Sequence, residues 1–175
     1  HLFCPARQNG RYRLILRIIR IRGKIMTKEV LVSVSGLQFA VNSDEVIEVI
    51  TGGQYFNRGG KQYVLYDEMI EEYEGVSKNT IKFTDGIVDI TKKGLTNVHM
   101  IFEEKKKNMT YYNTPFGNLM IGLYTNRIQI EEREEDIRIV VDYALDINYE
   151  FISDCVITIV VKAKQNAELA LSERN

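Results

Sequence analysis

Thr80-Ile81-Lys82-Phe83-Thr84-Asp85-Gly86-Ile87-Val88-Asp89-Ile90-Thr91 is the stretch that decides the fold. Two short runs suited to strands, Thr80–Thr84 and Ile87–Thr91, flank Asp85-Gly86. An Asp-Gly pair between such runs is a strong hairpin signal, because a two-residue type I′ turn needs residues that accept a positive φ.

The same rhythm extends in both directions. Upstream, Gly59-Gly60 joins Gln54–Asn57 to Lys61–Asp67, with a strand that runs on to about Glu71. Gly52-Gly53 reads as a further turn, after a β-branched run from Val46 to Thr51. Val30, Val32 and Val34 alternate with Leu31, Ser33 and Ser35, the pattern of a half-buried strand. Downstream, Val98, Met100 and Phe102 alternate with Asn97, His99 and Ile101. Leu119, Ile121 and Leu123 lie on one parity, and then the apolar positions switch to Ile128 and Ile130. A period of two cannot switch without an extra residue, so a bulge is expected near Thr125–Asn126. Ile137, Ile139, Val141, Tyr143 and Leu145 keep one parity, as do Ile157, Ile159, Val161 and Ala163. Lys105-Lys106-Lys107 and the acidic run Glu131–Asp136 read as solvated hairpin tips.

Nine or ten consecutive strands with short connections must hide their edges. Closure does so outright. The expected fold is therefore all-β: a closed or nearly closed antiparallel up-and-down barrel of about 8–10 strands with little helix. The one helical candidate is the tail at 165–175, which has helix formers but no partner face.

With 175 residues, 45% hydrophobic and 27% charged, the chain reads as an ordinary globular protein with one principal domain. Residues 1–25 stand apart. They hold Arg7, Arg11, Arg13, Arg17, Arg20, Arg22 and Lys24 and no acidic residue. The β body is expected to span 26–164, with Met26 as its start and 1–25 as a basic extension or a mis-assigned start. Subtracting those seven basic residues from the chain's 23 leaves 16 against 24 acidic ones, a net charge of −8. An acidic body without a basic stripe is a poor nucleic-acid binder, since phosphate contacts supply most of that affinity. Arg interrupts the apolar residues of the extension too often for a secretory signal, and no stable membrane association is expected. Cys4 and Cys155 form neither a disulfide framework nor a metal spacing, which fits a cytoplasmic protein.

The pattern residues resemble those of the YwiB-like family of uncharacterised bacterial proteins, whose fold is a calycin-like β-barrel. The resemblance rests on Tyr66-Asp67-Glu68, Asn79-Thr80-Ile81-Lys82-Phe83, Asp85-Gly86-Ile87-Val88 and Lys92-Lys93-Gly94. It continues through Met100-Ile101-Phe102-Glu103, Tyr112-Asn113-Thr114-Pro115-Phe116-Gly117 and Val141–Ile147. It covers about Met26 to Lys164 and implies a lipocalin-like closed barrel with no known activity. The family pattern has Arg ahead of the Gly matched by Gly94, where this chain has Lys92 and Lys93. Lys does not reproduce the planar fork of Arg toward an anion.

No motif for chemistry stands out. There is no phosphate loop, no metal-ligand cluster and no nucleophile beside a base, so no cofactor or metal is expected and an enzyme is disfavoured. His99 sits on the polar parity and Cys155 has no basic neighbour. The candidate ligand contacts are Tyr66, Glu68, Thr80 and Lys82, polar residues on neighbouring strands that match the family-like stretch. They are expected to converge inside the barrel, where Lys82 either meets an anionic group of the ligand, such as a carboxylate, or pairs with Glu68. Tyr112 and Thr114 join them. With Tyr111 and Phe116 these two form either a corner of the barrel around Pro115 and Gly117 or an aromatic cluster at its mouth. Two functions follow. One is a non-enzymatic binder of a small apolar or amphipathic molecule. The other is a barrel packed solid by the Tyr and Phe residues of Gln38–Lys164, acting as a structural or interaction module. A homodimer is compatible with both.

Overall fold

The computed structural model describes residues 29–37, 48–70 and 74–164. The basic segment 1–25 and the tail 165–175 lie outside them. The described chain is ten strands with essentially no helix. In order they are β1 (Glu29–Ser35), β2 (Glu48–Arg58), β3 (Lys61–Ile70), β4 (Gly75–Thr84) and β5 (Ile87–Lys93). They continue with β6 (Val98–Glu103), β7 (Lys107–Thr114), β8 (Gly117–Glu132), β9 (Asp136–Ile147) and β10 (Glu150–Ala163).

Every paired neighbour is antiparallel, and the sheet runs β6-β5-β4-β3-β2-β1-β10-β9-β8-β7. The first and last strands pair in the middle, with Val30 opposite Ala163 and Ser35 opposite Thr158. The outermost strands, β6 and β7, meet at the Asn97–Asn113 bridge, where each residue's N–H donates to the other's carbonyl at 3.0 and 2.9 Å. The sheet is therefore a nearly closed barrel with its seam between β6 and β7. The Asn108 amide helps close the seam by donating to the Ile101 carbonyl at 3.0 Å.

The parity expected from the sequence sets the inner wall. Val30, Val32 and Val34 face inward, as do Ile81 and Phe83, Val88 and Ile90, Met100 and Phe102. The odd positions of β9 from Ile137 to Leu145 and of β10 from Ile157 to Ala163 complete it. The parity switch in β8 is a bulge: Thr125 opposes Tyr143 and Arg127 opposes Asp142, leaving Asn126 as the extra residue. It frees the backbone of Thr125 to accept from Lys105 N–H at 2.8 Å and to donate to the Lys106 carbonyl at 3.1 Å.

Two turns differ from the sequence reading. Gly52-Gly53 is no turn but the middle of β2. A Cβ on Gly53 would lie 2.6 Å from the Leu65 carbonyl oxygen and 2.9 Å from the Val32 side chain, so glycine there permits close packing of three strands. In the Asp85-Gly86 hairpin only Gly86 has a positive φ, +72°, so the turn is not type I′. Two consecutive positive φ values occur at Gly59 (60°) and Gly60 (80°), between β2 and β3, and at Asn148 (49°) and Tyr149 (67°), between β9 and β10.

The two ends of the barrel differ. At the end that holds the β2–β3, β4–β5, β6–β7 and β8–β9 connections, Tyr55 donates to Gln62 Oε1 at 2.9 Å. Gln62 in turn donates to Glu132 at 2.6 Å, linking β3 to β8 across the ring. Further in, the Phe102 ring of β6 meets the Tyr143 ring of β9 edge-on, centroids 5.0 Å apart. Side chains from non-adjacent strands thus bridge the interior at this end and at mid-height.

Candidate functional site

The opposite end of the barrel has a polar interior. Register places Tyr66, Asn79 and Lys92 side by side on β3, β4 and β5, with Val98 of β6 beyond them. One step nearer the mouth, Glu68 lies opposite Ser77. Gly94 packs so closely on Ser77 that a Cβ would lie 3.0 Å from its Cα. All these residues share parity with the apolar wall, so they point inward.

Lys92 Nζ donates to Glu68 Oε2 at 2.8 Å, and the two side chains are only 14% and 12% exposed. The two charges therefore neutralise each other where water is scarce. Asn79 Nδ2 donates to the Ser77 carbonyl at 3.2 Å. The other end of that amide, Oδ1, has no hydrogen-bond partner, nor has Ser77 Oγ, although the residues are 2% and 1% exposed. Burying an unsatisfied polar atom costs about 1–3 kcal/mol, so native proteins keep few of them. Burial pushes the Tyr66 hydroxyl well above its ordinary pKa, and the Glu68 carboxylate pushes it further.

The structure separates the residues singled out in the sequence. Tyr66 and Glu68 are inside. Thr80 and Lys82 are paired with Leu65 and Tyr63 and so lie on the outer face. They alternate with Asn79 and Ile81, and in a strand neighbours point to opposite sides. Lys82 sits over the Tyr63 ring, 5.8 Å from its centroid, and the cation facing Glu68 is Lys92. Tyr112 is half-buried on the inner side of β7. Thr114 Oγ1 receives the Phe116 N–H at 3.2 Å and donates to the Gly117 carbonyl at 2.8 Å. That residue shapes the β7–β8 corner.

A second inward polar group lies elsewhere on the wall. Tyr143 pairs in register with Cys155 and with Thr125. Ser153 Oγ is 3.2 Å from Cys155 Sγ. Burial, and then the neighbouring Cys155, push the Tyr143 hydroxyl well above its ordinary pKa. His99 is exposed and 2.8 Å from Asp89 on the outer face. Among the described residues no three His, Cys, Asp or Glu side chains gather to hold a metal, and no helix is long and apolar enough to cross a membrane.

Residues 32–159 match the model of a family described as a domain of unknown function, DUF1934. The chain is 30% identical over 108 residues to the uncharacterised β-barrel protein YwiB of Bacillus subtilis strain 168, covering 62% of this chain and 75% of that protein. The crystal structure of the ywiB protein from Bacillus subtilis superposes with a TM-score of 0.63 at 25% identity, covering 81% of this chain and 97% of that one.

Proposed function

The chain belongs to the DUF1934 domain family, and from that premise we propose that its barrel is a non-enzymatic container for a small amphipathic molecule, held at the polar end of the interior. The observation that bears this reading is the pair of orphaned atoms, Asn79 Oδ1 and Ser77 Oγ, beside Tyr66 and the Glu68–Lys92 pair. Thr125 Oγ1 on β8 and Asp136 Oδ1 on β9 also lack partners, but they lie on other strands, whereas Ser77 and Asn79 occupy successive inward positions of β4, where one bound molecule would satisfy both. The ring order of an up-and-down barrel, as in lipocalin-like containers, supports the same reading. The free thiol of Cys155 is in keeping with a reducing cytoplasm as its compartment.

The contact between Phe102 and Tyr143 favours the packed-barrel reading over part of the interior. It confines the proposed molecule to the half nearer Glu68 and Ser77. The test is fluorescence titration with N-phenyl-1-naphthylamine, a neutral apolar amine, alongside native mass spectrometry of the purified protein. The expected result is saturable enhancement that Asn79→Leu abolishes while the circular dichroism spectrum stays unchanged. Absence of enhancement together with a more stable Asn79→Leu variant would establish a solid barrel instead.

A further inference from the structure

Among the described residues, the connections at the polar end of the barrel are unlike those at the other. The β5–β6, β7–β8 and β9–β10 connections expose Leu95, Phe116 and Tyr149, with Phe116 at 92% and Tyr149 at 76% exposure. The connections at the opposite end are Gly59-Gly60, Asp85-Gly86, Glu104-Lys105-Lys106 and Arg133-Glu134-Glu135, all glycine or charged. Tyr149 is the more unusual because its φ is +67°. A bulky side chain in the left-handed region is costly, and glycine or asparagine would close this turn at less cost. An exposed aromatic ring kept on strained backbone points to a contact that the ring makes.

We infer that the molecule in the barrel is a single-chain amphiphile with a neutral, hydrogen-bond-donating head such as a hydroxyl or primary amide. Its head meets Asn79 and Ser77, and its alkyl tail leaves through this mouth across Leu95, Phe116 and Tyr149. The inference rests on the container reading above and adds the class of molecule and its orientation. Asn79 Oδ1 is an acceptor, so it requires a donor from the head. A carboxylate or phosphate offers only acceptors and would lie against Glu68. An ammonium would lie against Lys92. Those two side chains already satisfy each other at 2.8 Å, so no net charge is left for an ionic head to answer. The tail points outward because Phe102–Tyr143 and the Tyr55–Gln62–Glu132 chain occupy the way inward. A separate occupant of the rim, a second copy of the chain, is an outcome of the test.

The test is a series of 1-alkanols from butanol to dodecanol, measured by calorimetry, with the matching alkanoates and alkylammonium ions as charged controls. Alcohols are expected to bind more tightly than either ion of equal length. Half-burial of each methylene against the rim corresponds to about fourfold in affinity for every two methylenes added. Phe116→Ser combined with Tyr149→Gly should flatten that slope and leave butanol binding as it was. Asn79→Leu should weaken every member alike. Butanol binding with no dependence on chain length, or a slope the double variant leaves intact, overturns the tail assignment while the container reading stands. Tighter binding of either ion overturns the neutral head. Failure of every member of the series to bind overturns the container reading itself. A concentration-dependent dimer in sedimentation that the double variant abolishes assigns the rim to a second copy and overturns the tail.

Discussion

Gly86 shows how much a single residue decides. A Cβ there would meet nothing within 4 Å, so space is not the constraint. The φ of +72° is the constraint, and a β-branched residue resists it most. Gly86→Val is expected to lose about 1–3 kcal/mol, read as a lower urea midpoint at unchanged slope. Tyr149→Gly should move the other way and gain about 1 kcal/mol, because it removes a bulky residue from the left-handed region. Lys92 and Lys82 offer a second contrast. Lys92→Met takes away the cation that Glu68 faces inside the wall and should cost about 3 kcal/mol, most of it regained in the double variant with Glu68→Leu. Lys82→Met removes a contact on the outer face and should change stability by less than about 1 kcal/mol. A large loss for Lys82→Met would contradict the register of β3 and β4. The sequence made Tyr66 and Glu68 legible as candidates but joined them to Thr80 and Lys82. The signal that separates them was available in parity: Ser77 and Asn79 share it with Ile81 and Phe83. Polar residues in mid-pattern read as the outer face by default, and it is the burial of Ser77 and Asn79 in the folded barrel that places them inside.

At the scale of the strand, β8 is the informative element. Its bulge lets Ile121 and Leu123 on one side and Ile128 and Ile130 on the other all face the core. Deleting Asn126 would leave each of those side chains on its face and remove only the bend, with the Thr125 contacts to Lys105 and Lys106. The deletion variant should therefore fold, at a loss of about 1–3 kcal/mol. Deleting Arg138 from the unbroken strand β9 should not be tolerated. It sets the parity of Ile137 against that of Ile139, Val141 and Tyr143 and turns one set outward. Near-ultraviolet circular dichroism distinguishes the two, since Tyr143 loses its fixed environment only in the second. The bulge was legible because apolar parity is a pattern that one extra residue breaks visibly. The continuity of β2 through Gly52-Gly53 was not, since a glycine pair suits a turn and a tight strand crossing equally well. What decides is Leu65, Val32 and Tyr66, and their approach to Gly53 is a tertiary fact. The turn at Asn148-Tyr149 was hidden for a related reason: tyrosine gives no local warning of a positive φ.

For the molecule as a whole, the ring of strands followed from the short connections and alternating runs, while the position of its seam did not. The barrel's response to alkali follows from two inward tyrosines. Tyr66 and Tyr143 are held neutral well above the ordinary value of 10.0. The unfolded chain ionises at that ordinary value and the folded one does not, so above it the native state binds more protons and stability falls as pH rises. The urea midpoint should be insensitive to these groups below about pH 10 and decline above it. Tyr143→Phe should make the decline shallower, and an unchanged slope would show that its hydroxyl is not buried in solution. The placement of the seam also governs the order in which the chain can assemble. β1 lies between β2 and β10, so the first described strand waits for the last before its second edge is covered. The weakest junction, by contrast, joins strands that are neighbours in the chain. A circular permutant cut within 104–106, with Ala163 joined to Glu29 through a flexible linker, would reverse this arrangement. Every fully paired junction would then be a hairpin or linker step between consecutive strands, and the contacts of β6 with β7 and β8, among them the Asn97–Asn113 bridge and the Asn108–Ile101 hydrogen bond, would become the long-range ones. The contacts made distant at the seam nearly match those made local between β1 and β10, so contact order is nearly unchanged and the permutant is expected to refold at about the natural rate, with a different strand closing the ring last. On the ribosome the natural order leaves β1 with one edge open until synthesis reaches β10, an interval in which that edge is available to other chains or to a chaperone.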